Sequence, residues 1–315
     1  MKVFRGLPRP DNQTPCALVI GNFDGVHRGH QALLTRARAV ATERGLPLCV
    51  MTFEPHPREY FAKFNPAIPV PNRIANLRDK LDALRRQGVD FVVVEHFHAA
   101  FASLSPEAFI ENILVKGLQV RWLLVGDDFR FGAKRAGDFA LLEQAAQQWG
   151  FAVERMQTVH HDNVRISSSE VRTALADGNL QLAKELLGHP YTISGHVLHG
   201  RKLGRTLDFP TLNLRVKPDR PALKGIFVVR VHGLTAQPLR AVASLGVRPT
   251  VEEAGRVLLE VHVFDFDQTV YGKLVKIEFL KKLRDEEKYD DLATLRAAIA
   301  NDASQALQYF ETNPS

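Results

Sequence analysis

Two histidines three residues apart, His27 and His30, stand among three glycines, Gly21, Gly25 and Gly29, in the stretch GNFDGVHRGH. Those residue types suit the holding of phosphate. Glycine lets an anion approach the backbone with no Cβ in the way, and the first amides of a helix carry partial positive charge. The apolar run 17–20 precedes the stretch and the amphipathic run 31–44 follows it, which predicts a strand, a tight turn and the first turn of a helix. Such a turn could equally carry its glycines for geometry alone, with both histidines on the surface. The rest of the chain has to decide.

Short apolar runs at 48–53, 91–95, 122–126 and 152–156 read as strands, and 72–88, 106–117 and 138–149 as helices, with Ser105 and Pro106 as an N-cap and first helical residue. The proline-punctuated residues from EPHP to Pro71 read as a loop. Alternating strands and helices predict a right-handed, parallel α/β sheet. GNFDGVH, EPHP, EHFH and GDDFRFG each follow the carboxyl end of a predicted strand, the edge at which open α/β sheets bind ligands. Four scattered clusters thus form one candidate crevice. ISSSEVR, residues 166–172, starts a further helix in which Ser167 or Ser168 is the N-cap, and its amides and Arg172 offer another phosphate contact. Plainer readings stand beside these: serine caps are usually only caps, EPHP stiffens a turn, and Phe129 and Phe131 belong in a core.

Helical patterns at 170–176 and 180–187 stop at Gly188, before His189 and Pro190, and strand-like runs dominate beyond: 192–198, 226–231, 240–245, 257–264 and 274–280. Closely spaced strands with Gly and Pro turns predict an antiparallel barrel, with C-terminal helices from Asp291. Within it, GRKLGRTLDFPTLNL (200–214) is glycine-rich and basic. Its amides and Lys202 could surround phosphates, while Thr211 and Asn213, on one side of an extended segment, could ligate a hard cation. Val257, Leu259, Val261 and Val263 make one apolar face, so Glu260 points the other way, to solvent or to a pocket under the C-terminal helices.

A chain of 315 residues favours two domains, divided here into 1–188 and 189–315. With 45% hydrophobic and 24% charged residues it has a globular composition, and its formal charge of +6 suits a protein that handles anions. The basic residues are spread out and are not interleaved with aromatics, which argues against a nucleic-acid partner and for small-molecule substrates. Cys16 and Cys49 lie in apolar runs without metal-ligand spacing and read as buried thiols in a reducing compartment. No run approaches membrane-spanning length and no apolar signal segment follows MKVFRGLPRP, so the expectation is a cytoplasmic protein with no membrane partner.

With both halves read, GNFDGVHRGH resembles the HxGH motif of nucleotidyltransferases, and TFEPHP, GDDFRFG and ISSSEVR, in that order, resemble the flavin-adenylylating branch, the bacterial bifunctional riboflavin kinase/FAD synthetase family. GRTLDFPTLNL is similar to that family's GxxxGFPTAN motif, SLGVRPT to its NxGxRPT segment, LLEVHVFDF to the strand with its catalytic glutamate, and residues 279–307 to its C-terminal segment. The resemblance implies a Rossmann-like nucleotidyltransferase domain acting as FMN adenylyltransferase, followed by a riboflavin kinase barrel. ATP, with Mg²⁺, would phosphorylate riboflavin to FMN in the second and adenylylate FMN to FAD in the first. His27 and His30 would be catalytic in adenylyl transfer. Gly21, Phe23, Asp24, Gly29, Asp128, Ser167, Ser168 and Arg172 would contact its ATP, and Pro55, His56 and Phe129 the flavin. In the kinase Glu260 would be the general base, Lys202, Gly204, Thr211 and Asn213 would bind ATP, and Thr211 and Asn213 the metal. Asp208 stands for the family's usual Gly, Leu212 for Ala, Ser244 for Asn, and Ser169 with Glu170 for Thr-Arg; Asp208 adds negative charge beside a phosphate loop, which bears on kinase strength. The competing readings are an adenylyltransferase of another phosphate substrate with a non-catalytic barrel, and a basic nucleic-acid-binding protein.

Overall fold

The computed structural model describes residues 1–157, 160–161, 164–199, 209–216, 220–247 and 257–313. Contacts divide the chain into two compact units, Met1–Pro71 with Lys80–Ile166, and Asn72–Asp79 with Ser167–Ser315.

The first unit runs β1 (Lys2–Arg5), β2 (Cys16–Ile20), α1 (Arg28–Glu43), β3 (Leu48–Glu54), α2 (Pro57–Ala62), α3 (Leu77–Arg86, whose first turn belongs to the second unit), β4 (Phe91–His96), α4 (Ala99–Ala102), α5 (Pro106–Ala108, continuing as a π-helix over Phe109–Gly117), β5 (Val120–Gly126), α6 (Phe139–Trp149) and β6 (Ala152–Met156). A short pair, β7 (His160–His161) with β8 (Val164–Arg165), follows. All pairings in the six-stranded sheet are parallel, in the order β1-β4-β3-β2-β5-β6. This is the expected parallel α/β architecture. Every residue of the central β2 is buried, as a strand covered on both faces must be. Cys16, Leu18 and Ile20 face one core cluster with Leu114, Leu123 and Leu142. Ala17 and Val19 face the other way, where α1 packs with Leu34, Ala37, Val40 and Ala41 buried. Cys16 and Cys49 are buried free thiols, joined in no disulfide; burial above all, and then Cys16 beside it, pushes the Cys49 thiol well up, so it stays neutral.

Two local expectations need correction, and one strand goes unannounced in the sequence. The residues after EPHP are not all loop, because His56 Nδ1 accepts from Arg58 N at 3.1 Å and Glu59 accepts from His56 N at 3.0 Å, a capping box that starts α2 on Pro57. The helix expected from Asn72 begins only at Leu77. Before it, Arg73 uses its backbone in bonds with Arg220 O (2.7 Å) and Ala222 N (3.1 Å), and the Asn76 side chain accepts from Asp79 N at 2.9 Å. β1 has no apolar alternation to announce it; most of its residues are exposed on the sheet edge beside β4.

The second unit opens with α7 (Ser168–Ala176) and α8 (Leu180–Leu187), which precede the expected division at His189 but belong to this unit by contacts. β9 (Thr192–Leu198), β10 (Leu212–Arg215), β11 (Gly225–His232), β12 (Leu239–Val247), β13 (Val257–Val263) and β14 (Leu274–Arg284) close into the expected antiparallel barrel, ordered β10-β13-β12-β11-β14-β9. The described residues then hold one C-terminal helix where several were expected: α9 (Leu292–Thr312), capped by Asp291, which accepts from Thr294 N at 2.8 Å. Its Ala303, Ala306 and Phe310 pack on Ile226, Val228 and Val242. A bidentate pair ties it to the barrel, with Arg284 Nε 2.9 Å and Nη2 2.6 Å from the two oxygens of buried Asp302. Asp302→Ala is expected to cost about 3 kcal/mol, the low end for breaking a buried pair, because the part-exposed Arg284 can still hydrate. A lower urea midpoint at unchanged slope is the readout; an unmoved midpoint would mean that apolar packing alone holds α9.

Candidate active sites

In the first unit, β4, β3, β2 and β5 are neighbours, so EHFH, EPHP, GNFDGVH and GDDFRFG stand side by side at the carboxyl edge of one sheet. From β2 the chain passes through α1 to β3 on one flank, whereas β5 lies on the other flank and leads through α6 to β6. The order therefore reverses between β2 and β5, the kind of switch point at which α/β sheets open a ligand crevice. GNFDGVH and GDDFRFG flank it.

The turn after β2 is tightly wound. Phe23 and Val26 have φ of 48° and 43°, a region unfavourable to any side chain and worst for a β-branched one. Phe23 and Asp24 are buried, as is His27. A Cβ on Gly21 would come within 3.1 Å of the Phe23 ring, and one on Gly29 within 3.2 Å of the His27 ring and 3.3 Å of the Ile166 carbonyl. His27 is the N-cap of α1, its Nδ1 accepting a long bond of 3.4 Å from His30 N. An accepting Nδ1 assigns the neutral ring's proton to Nε2, which makes that nitrogen a donor. The His27 and His30 rings stack with centroids 3.7 Å apart. Beneath the turn, Thr52 Oγ1 donates to Asn22 O at 3.1 Å.

The other anticipated residues of this half are more dispersed. Pro55 follows a cis peptide at the end of β3, and His56 caps α2. Asp128 is exposed and paired with Arg165 at 3.1 Å. Phe129 stacks on Phe131 at 5.7 Å and packs against the core cluster. Ser167 caps α7, accepting from Glu170 N at 3.2 Å, and Arg172 Nε donates to Asn72 O at 2.7 Å; these two and Ser168 belong to the second unit. In EHFH, burial raises the Glu95 carboxyl above its ordinary range, opposed by His98 and His96.

In the second unit, Asn213, Glu260, Ser244 and Ile226 are register partners across β10, β13, β12 and β11, so they form one row on one face. Val257, Leu259, Val261 and Val263 are buried on the opposite face, which leaves Glu260 on the side where α9 packs over Ile226 and Val242. Asn213 Nδ2 donates to Thr211 O at 3.3 Å, while its buried Oδ1 has no hydrogen-bond partner among the described residues. A buried acceptor in that state fits a cation or a ligand donor. Phe209 meets the His262 ring edge-on at 5.3 Å, and His262 Nδ1 donates to Pro210 O at 2.9 Å, which fixes the approach to Thr211. Ser244 Oγ lies 3.5 Å from a carboxylate oxygen of Glu286. Lys202, Gly204 and Asp208 lie outside the described residues.

A family model for FAD synthetase matches residues 9–170, and one for riboflavin kinase matches residues 187–310. Curated proteins described as bifunctional riboflavin kinase/FMN adenylyltransferases align along almost the whole chain. The Escherichia coli (strain K12) protein is 47% identical over 98% of each chain, and the Haemophilus influenzae protein 44% identical over 99% of this chain and 100% of its own. This chain belongs to the bifunctional riboflavin kinase/FMN adenylyltransferase family. A solved Streptococcus pneumoniae chain described as a macrolide-efflux protein shares the fold, with a TM-score of 0.77 at 30% identity over 99% of each chain.

For a riboflavin kinase/FMN adenylyltransferase family member, the motifs leave several neighbouring side chains unnamed. His262 was legible, since it lies two residues beyond Glu260 and so on the same face. Tyr60 was not, because it depends on α2; its ring lies 5.3 Å from Phe61, 5.2 Å from Phe64 and 5.5 Å from Phe97, a partly exposed aromatic cluster beside the ends of β3 and β4. Lys80 left only a faint signal, a charge among the inward positions of α3 with Ala83 and Leu84.

Proposed function

We propose that the chain makes FAD from riboflavin in two ATP-dependent steps, with kinase chemistry in residues 189–315 and adenylyl transfer in residues 1–188. The observation that carries this reading is that two separate segments match two family models, one for each reaction, FAD synthetase over residues 9–170 and riboflavin kinase over residues 187–310. In the kinase step the 5′-hydroxyl of riboflavin attacks the γ-phosphorus of ATP, the bond to the β-phosphate oxygen breaks, ADP leaves and Glu260 takes the hydroxyl proton. Lys202 and Gly204 contribute to holding ATP. Thr211 and Asn213 would hold Mg²⁺, and the unpartnered Asn213 Oδ1 fits that role. When bound, the ion neutralises phosphate charge.

In the second step a phosphate oxygen of FMN attacks the α-phosphorus of ATP and pyrophosphate leaves. The nucleophile is already ionised, so the site has to position and to stabilise charge. His27 and His30, with the amides of the Gly21–Gly29 turn, serve the phosphates. Gly21, Phe23, Asp24 and Gly29, in the turn, with Asp128, Ser167, Ser168 and Arg172, would contact ATP. Pro55, His56 and Phe129 lie on the flavin side, where the Tyr60–Phe97 cluster offers further aromatic surface. The buried cysteines, free of a disulfide, suit a reducing compartment, and we place the protein in the cytoplasm. Incubation with riboflavin, ATP and Mg²⁺, followed by chromatography of the flavins, tests the whole reading. FMN appearing first and FAD after it is expected. FAD from supplied FMN with no FMN from riboflavin would leave only adenylyl transfer, and no flavin turnover at all would overturn the proposal.

A further inference from the structure

Lys80 is the least exposed charged side chain of α3, with 1% of its surface open to solvent. A buried ammonium persists only where its hydrogens find acceptors. Its Nζ lies 3.4 Å from Thr52 Oγ1. An ammonium cannot accept, so the Thr52 oxygen receives that bond and its own hydrogen is left to donate, which it does to Asn22 O at 3.1 Å. The direction of the relay is thereby set from Lys80 outward. Asn22 is where the chain enters the strained turn, with Phe23 and Val26 at positive φ and Gly29, His27 and His30 beyond. Strain of that kind survives only when the surroundings over-determine it.

We propose that Lys80 is a positioning residue for adenylyl transfer. Through Thr52 it holds the Asn22 peptide, and so keeps the turn in the conformation that presents its amides and histidines to the phosphates. The inference rests on the adenylyl-transfer reading above. Without the ammonium the Thr52 hydroxyl is no longer directed, the turn relaxes toward ordinary φ values and the donors lose their aim. Such misplacement weakens interactions that tighten in the transition state more than it weakens substrate binding, so kcat falls more than KM rises.

The test is steady-state kinetics of both reactions in the full-length wild type and in Lys80→Met, Thr52→Val and Thr52→Ser. Lys80→Met keeps the apolar stem and removes the charge, while Thr52→Ser keeps the hydroxyl that Thr52→Val removes. Lys80→Met and Thr52→Val should each lower kcat for FAD formation about tenfold or more, with KM for ATP and FMN within about threefold and riboflavin phosphorylation retained. Thr52→Ser should keep kcat, and the Lys80→Met/Thr52→Val double variant should fall no further than the worse single one. If Lys80→Met does not fold, the valine and serine variants decide alone. Equal kcat in those two, a rise in KM with kcat preserved, or a parallel loss of riboflavin phosphorylation overturns the inference. A wild type that makes no FAD removes instead the reading on which it rests.

Discussion

Glu260→Gln is expected to abolish FMN formation from riboflavin while FAD formation from supplied FMN continues at the wild-type rate. Glutamine keeps the shape of glutamate and can still hydrogen-bond to either side of its row, toward Asn213 on β10 and Ser244 on β12. What it loses is the capacity to take a proton. A well-placed general base contributes about 10²–10⁴ in rate, so the kinase kcat should fall by that factor. A near-isosteric change on the outer face of a closed barrel costs stability of only about 0.5 kcal/mol, too little to depopulate the folded unit. The loss would therefore report chemistry and not unfolding. Ser244 and Glu286 sharpen the comparison, because a second carboxylate lies 3.5 Å from Ser244, next along the row. If Glu286 were the base, Glu260→Gln would keep kinase turnover within about threefold, and Glu260 would leave the mechanism.

The architecture of both units is written in hydrophobic periodicity, and so are the parts of the sites that depend on it. Four polar clusters after four apolar runs predicted one sheet edge, and adjacent β4, β3, β2 and β5 provide it. Alternation along β13 put Glu260 opposite the apolar face. Failures came where a local bond outweighed the pattern. His56 and Glu59 build a capping box that turns an expected loop into α2, and with it an aromatic surface that no motif named. Arg73 bonds its backbone to Arg220 and Ala222, which delays α3 by more than a turn. The positive φ of Phe23 and Val26 was illegible because those residue types argue against it; only glycine advertises such a conformation. Lys80 was hidden for the same kind of reason, since a lysine on an amphipathic helix is read as solvated until its 1% exposure is seen.

His27→Ala and His30→Ala are each expected to lower FAD formation by about 10²-fold or more, with riboflavin phosphorylation unchanged, if each imidazole donates to phosphate oxygens in the transition state. For His27 a rival cause must be separated, because its Nδ1 also caps α1. The magnitudes differ enough to decide. Losing an N-cap costs about 1 kcal/mol of helix stability, and this cap, at 3.4 Å, is a weak one. That cost falls on a 16-residue helix whose Leu34, Ala37, Val40 and Ala41 are buried against the sheet, so α1 would stay folded. His27→Asn makes the separation experimental. Asparagine is among the best N-caps and can accept from the same amide, yet it has no donor at the position of Nε2. If His27 matters as a cap, asparagine should restore FAD formation; if it matters as a donor, asparagine should be nearly as impaired as alanine. The second result is expected. His30 is not the N-cap, and its ring, stacked 3.7 Å from His27 in the first turn of the helix, would face the same phosphates. The double variant should lose less than the product of the two single losses, because two donors on one anion partly compensate for each other. Wild-type FAD synthesis in all of these variants would leave GNFDGVHRGH as a turn whose glycines and histidines serve geometry alone.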